Sequence, residues 1–118
     1  MNIKQELMGF IRSENFYKDN FMGMYYTDGF KRFLELCQCH WLFTDMAVII
    51  KSKLRHEDFI VLKIKVNDFE AKVTLDDGNS HILWSQDYEY TDFPLSEYKI
   101  YVCRNEKGSY TFMLPTEY

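Results

Sequence analysis

The sequence carries no motif that announces a chemistry. It contains no G-x-x-x-x-G-K-[ST], no G-x-G-x-x-G, no H-E-x-x-H and no G-x-S-x-G, so nucleotide loops, zinc-protease helices and nucleophile elbows are all missing. Glycine is scarce, five in 118 residues, and proline scarcer, with two. That leaves little material for a phosphate-cradling loop and no Pro/Gly-rich linker. Lys and Arg never form a run, and the net charge is −4, so no stripe tracks a DNA backbone and direct DNA recognition is not expected. The acids are just as dispersed, which argues against a DNA mimic. The longest apolar run, residues 41–50, holds Thr44 and Asp45 and is too short to span a bilayer. Residues 2–14, NIKQELMGFIRSE, are too polar for a signal peptide. An odd number of cysteines, three, then points to reduced thiols in the cytoplasm of a bacterial host cell.

What is present is apolar and aromatic. Hydrophobic residues make up 47% and charged residues 27%, a globular balance. At 118 residues the chain is read as one domain, 1–118. Nine Tyr and ten Phe exceed what one core absorbs, so some are expected at a contact surface.

The organising stretch is 27–50. Thr27 or Asp28 opens a helix by accepting bonds from the free N–H groups of its first turn, with Gly29 following. Phe30, Phe33, Leu34 and Cys37 then share one face. A second helix, about 41–54, is apolar nearly all round, with Trp41 at its start and Asp45 inside it. A short amphipathic helix over 3–12 precedes both, and 13–26 reads as an irregular aromatic segment packed on the core. From Phe59 the period becomes two. Strands are expected near 59–66, 69–75, 82–88, 98–102 and 110–114, with turns at Asn67-Asp68, Asp77-Gly78 and 106–108. Pro94 assigns 90–95 to a connection. The expected class is α+β: three N-terminal helices packed on one face of a C-terminal, roughly five-stranded antiparallel meander.

Three groups of residues are candidates for chemistry. Cys37, Cys39, His40 and Cys103 have zinc-type donors, but one residue between paired cysteines departs from the usual spacing, so no metal is expected. A Cys/His nucleophile pair lacks a glycine-framed turn. Asp45 is a carboxylate in an apolar run; we read it as a structural tie to a Tyr hydroxyl, a backbone N–H, Thr27 or a cation rather than as a tuned acid. Asp76, Asp77 and Asn79 around Gly78 lack the rest of a calcium loop. No cofactor is expected.

Tyr26, Thr27, Asp28 and Gly29, then Trp41, Leu42 and Asp45, then Asp77-Gly78-Asn79, then the run from Thr91 to Leu95, and finally Leu114, Pro115, Glu117 and Tyr118 stand in that order across the chain. The set resembles a family of small uncharacterised bacterial and phage proteins. Members carry small residues in place of Cys37 to His40, which weakens the zinc reading further. The resemblance implies no established activity. It implies genes carried by phages and mobile elements, and with them a role against host defence.

The functional expectation is therefore a non-enzymatic protein-binding module that inhibits a bacterial defence system by direct contact. The partner would be a bacterial protein or a protein–RNA complex, such as a CRISPR effector with its guide. Contact would run through Tyr17, Phe21, Tyr25, Tyr88, Tyr90 and Tyr101, and Thr27, Asp28, Gly29, Trp41, Asp45, Gly78 and Pro94 would be structural. One alternative is a small hydrolase or nucleotide-handling enzyme in which Asp28, Asp45 and Asp92 converge. Another is a self-associating protein pairing through its last strand.

Overall fold

Seven strands form one mixed sheet, in the order β1-β2-β7-β6-β3-β4-β5. The computed structural model describes residues 2–11, 15–20 and 22–118. In chain order the elements are α1 (Ile3–Leu7), β1 (Phe16–Lys18), β2 (Tyr25–Thr27), α2 (Asp28–Cys37), α3 (His40–Lys53), β3 (Phe59–Asn67), β4 (Glu70–Asp76), β5 (Ile82–Tyr88), β6 (Glu97–Arg104) and β7 (Tyr110–Met113). A 3-10 turn, Pro115–Glu117, follows β7.

This corrects the expected architecture. The α+β content holds, but the sheet has seven strands rather than five, and only α1 precedes the first strand. β1 and β2 lie in the segment read as irregular. Each is three residues long, too short to show a period of two. β2 also pairs parallel with β7, which makes the sheet mixed and depends on contacts across more than eighty residues of chain. The first hairpin turns at Asp68-Phe69 rather than Asn67-Asp68. Asp68 takes φ 58°, a left-handed value Asp tolerates, and Phe69 is left exposed at the tip. β7 is paired on both sides, by β2 and β6, so it offers no edge for self-association.

Cross-strand register builds the core. Val102 stands between Ile60 and Phe112, Ile100 beside Leu62, Leu62 beside Leu75, and Ile64 beside Val73. All are buried. The two long helices cover this face. Phe30 of α2 and Phe43 of α3 meet Phe112 with ring centroids 5.2 and 4.9 Å apart, and Phe33 stacks on Tyr98 at 5.1 Å. Edge-to-face and tilted pairs of this kind add to the stabilisation from burial alone.

The start of α2 is joined to the C-terminus. Thr27 caps the helix by accepting from Phe30 N–H (3.2 Å). Its hydroxyl donates to Glu117 (2.7 Å), whose carboxylate also accepts from the N–H groups of Gly29 (3.1 Å) and Leu114 (2.9 Å). A carboxylate suits the positive end of a helix. Gly29 is required for space: a Cβ there would lie 2.6 Å from Glu117 Cδ. Two of the quoted sequence groups, Thr27 to Gly29 and Leu114 to Tyr118, thus form one latch.

Candidate functional site

A basic hollow lies at the other end of β2. Its volume is about 520 Å³, and its walls come from β1, the 22–25 segment, the end of α3 and the β6–β7 hairpin. Lys18, Lys51, Arg55, Arg104 and Lys107 line it together with His56, Tyr25 and Ser109. No Asp or Glu is among the described residues that line it.

Local chemistry fixes each wall. In the segment before β2, the Asp19 carboxylate accepts from Met22 N–H (2.8 Å), and Gly23 N–H donates to Asp19 O (2.8 Å). Gly23 takes φ 71°, a conformation that favours glycine. Lys51 Nζ donates to Met22 O (3.2 Å) and Ser109 Oγ to Gly23 O (2.7 Å), tying this segment to α3 and to the hairpin. In the hairpin the Asn105 side chain accepts from Lys107 and Ser109 N–H, both at 3.0 Å. The Tyr110 hydroxyl reaches the carbonyl oxygens of Leu54 (2.9 Å) and Glu57 and accepts from Arg104 (3.2 Å). Burial pushes its pKa up, so it stays a neutral donor.

The lining is basic, with two acids beside it. Glu57 lies 3.0 Å from His56, and Arg104 pairs with Asp58 (3.2 Å). Lys18, Lys51, Arg55 and Lys107 have no ion pair among the described residues. Lys18 and Lys107 both lie against the Tyr25 ring, 6.0 and 5.6 Å from its centroid. The negative end of α3 accounts for Lys51 and Arg55. It does not account for Lys18, Arg104 and Lys107, which arrive from other elements.

None of these cations stands out in the sequence as a site, because they are spread singly between positions 18 and 107. The residues that the sequence does single out are dispersed. Tyr25 is in the hollow. Tyr17 faces the helices, stacked on Tyr26 and donating to Asp28 (2.8 Å). Tyr88 donates to Asp45 (2.8 Å) and meets Trp41 edge-on. Tyr90 is exposed and stacks on Phe69. Tyr101 lies on the uncovered face of the sheet with Phe59 and Tyr118. Phe21 lies outside the described residues.

The structural assignments fare differently. Asp45 is tied to a Tyr hydroxyl, and burial together with this carboxylate raises the Tyr88 pKa. Gly78 takes φ 84° in the β4–β5 turn, where the Asp76 carboxylate accepts its N–H (2.8 Å). Pro94 is exposed in the connection before β6, beyond the Thr91 hydroxyl that accepts Phe93 N–H.

Other constellations do not assemble. Asp28 is held by β1 and Asp45 by β5, the two outermost strands, while Asp92 is exposed in a loop. Cys37 and Cys39 are both buried on the helical side. Cys103 is paired across from Phe59 on the opposite face, and burial raises its thiol to about 11. Among the described residues no three His, Cys, Asp or Glu side chains are placed to hold a metal ion. No helix of the described residues is long and apolar enough to cross a membrane.

The fold has a solved counterpart. A crystal structure of a protein of unknown function from Enterococcus faecalis is similar, with a TM-score of 0.58 and 19% identity, covering 85% of this chain and 93% of that one. At that identity the likeness is one of fold. No curated protein gives a significant match. The family comparison covers residues 1–118, and the chain belongs to a family of unknown function, DUF6876.

Proposed function

We propose that the protein is a non-enzymatic binding module that captures an anionic partner in the basic hollow. The observation that carries this is the meeting of five Lys and Arg side chains from three parts of the fold, β1, the end of α3 and the β6–β7 hairpin, with no acid among the described lining residues, in a chain of net charge −4. Lys51 and Arg104 also make local bonds, to Met22 O and to Asp58, but like charges gathered around one hollow repel one another, whereas an anion there would be held by several at once. In the setting implied by the resemblance to phage proteins, the partner is a bacterial protein or a protein–RNA complex, engaged through its acidic groups or phosphates.

The test is heparin, a generic polyanion. Wild-type protein should be retained on immobilised heparin despite its acidic pI of about 5.3, and the double variant Lys51→Glu/Arg55→Glu should elute at clearly lower salt. Lys31→Glu, on the exposed side of α2 away from the hollow, should elute like wild type. Equal elution of all three proteins would sink the reading.

A further inference from the structure

We infer that the hollow is built for an oligophosphate, a ligand with about four negative charges on adjacent phosphate groups. A nucleoside triphosphate and the triphosphate end of an RNA share that chemistry. The inference rests on the hollow being an anion site and adds the charge density of what fills it.

Charge and size together select this class. Lys18, Lys51, Arg55 and Lys107 have no acid partner among the described residues, and Arg104 is compensated only by Asp58, whose side chain is 90% exposed. A hollow of 520 Å³ is about 8 Å on a side if treated as a cube. A nucleic-acid strand carries one charge per ~3.4 Å of axis, so about two phosphodiesters would fill it and leave half the cations unmatched. Carboxylates of an acidic peptide carry one charge each on bulkier side chains and fall short in the same way. A triphosphate delivers its charge within that span. The donors agree: lysine ammoniums act as point charges toward phosphate, and Arg55 adds a planar fork able to bind bidentately.

The placement of Lys18 and Lys107 against the single ring of Tyr25 adds a second indication. The ring gives each of these two ammoniums a resting contact before any ligand arrives, which limits the ordering of flexible side chains at the moment of binding. With Tyr25 occupied in this way, recognition lies in the phosphates and not in a base. Inorganic tripolyphosphate should therefore bind about as well as ATP.

Isothermal titration of the full chain with four ligands tests this. These are tripolyphosphate, ATP, a short RNA with a 5′-triphosphate, and the same RNA with a 5′-hydroxyl. The expected result is comparable binding of the first three and at least about tenfold weaker binding of the fourth. Lys51→Glu/Arg55→Glu should lose at least about tenfold for the first three, while Lys31→Glu stays within about twofold. Preference for ATP over the two other triphosphates would assign the source as a free nucleotide, and preference for the 5′-triphosphate RNA would assign it as an RNA end; both support the class. If heparin retention depends on Lys51 and Arg55 but the 5′-hydroxyl RNA binds as well as tripolyphosphate, the oligophosphate assignment is overturned and the anion site stands. If no ligand binds and heparin retention is also insensitive to the charge reversal, both fall.

Discussion

Strand β2 is three residues long, and its two ends differ in kind. At Thr27 the charge is neutralised internally: Glu117 sits on the positive end of α2 and is held by Thr27, Gly29 and Leu114. At Tyr25 the charge is left over: four cations meet around the hollow with no ion pair among the described residues. The first arrangement is what a fold requires of a buried polar group. The second leaves charge without an ion pair, and it is for this charge that we propose a ligand. The difference separates a scaffold residue from a candidate site residue without any knowledge of activity.

Four substitutions or conditions test this contrast. The largest effect is expected from Glu117→Ala. It removes the acceptor of a buried hydroxyl and of two N–H groups, and should cost about 2–4 kcal/mol in chemical denaturation. Heparin retention of the folded protein should be unaffected, since Glu117 is not in the hollow.

Gly29→Ala follows. Its Cβ would intrude on the Glu117 carboxylate, and a loss of about 1–3 kcal/mol is expected. In the Glu117→Ala background the clash disappears, and the better helix propensity of Ala should turn the same change neutral or stabilising by up to about 1 kcal/mol. A double-mutant cycle that gave additive losses would show that the two residues do not share a latch.

Alkaline pH should act on the same region. Tyr98 packs on Phe33 of α2, and burial, aided by the nearby Cys37 and Glu117, raises its pKa to about 12 from an ordinary value of 10.0. A group raised in the folded state contributes stability in full below pH 10 and loses it as pH climbs through 12. The urea midpoint should fall across that window, and Tyr98→Phe should reduce the fall.

The smallest effect on stability is expected in the hollow. Lys51→Ala and Arg55→Ala alter exposed side chains and should shift stability by no more than about 0.5 kcal/mol, or raise it slightly through relief of repulsion. Anion retention should fall nonetheless. A large loss of stability from either would mean that these cations belong to the scaffold.

Parts of this contrast were legible in the sequence. Phe30, Phe33, Leu34 and Cys37 marked the buried face of α2, and Thr27 marked its cap. Alternation revealed β3 through β7, and Asp45 proved to be tied to a Tyr hydroxyl. Strands β1 and β2 were not legible, because three residues carry no period and the partner that makes β2 a strand lies at Thr111 and Phe112. The role of Glu117 was hidden for a related reason: its bonds to Thr27 and Gly29 close over nearly the whole chain. The hollow was the least visible. Its cations never form a run, and Lys51 and Arg55 each have a sufficient local explanation at the end of α3. Lys18 reaches the Tyr25 ring through the β1–β2 pairing, and Lys107 through the parallel pairing of β2 with β7.

Backbone amide mapping by heteronuclear NMR, with inorganic tripolyphosphate titrated into the full-length protein, examines the two ends of β2 in one spectrum. The expected result is saturable shifts at Tyr25, Lys51, Arg55, Lys107 and Gly108, with Gly29, Leu114 and Glu117 unmoved. Shifts centred on the latch, or none that saturate at the hollow, would contradict the division of β2 into a structural end and a binding end.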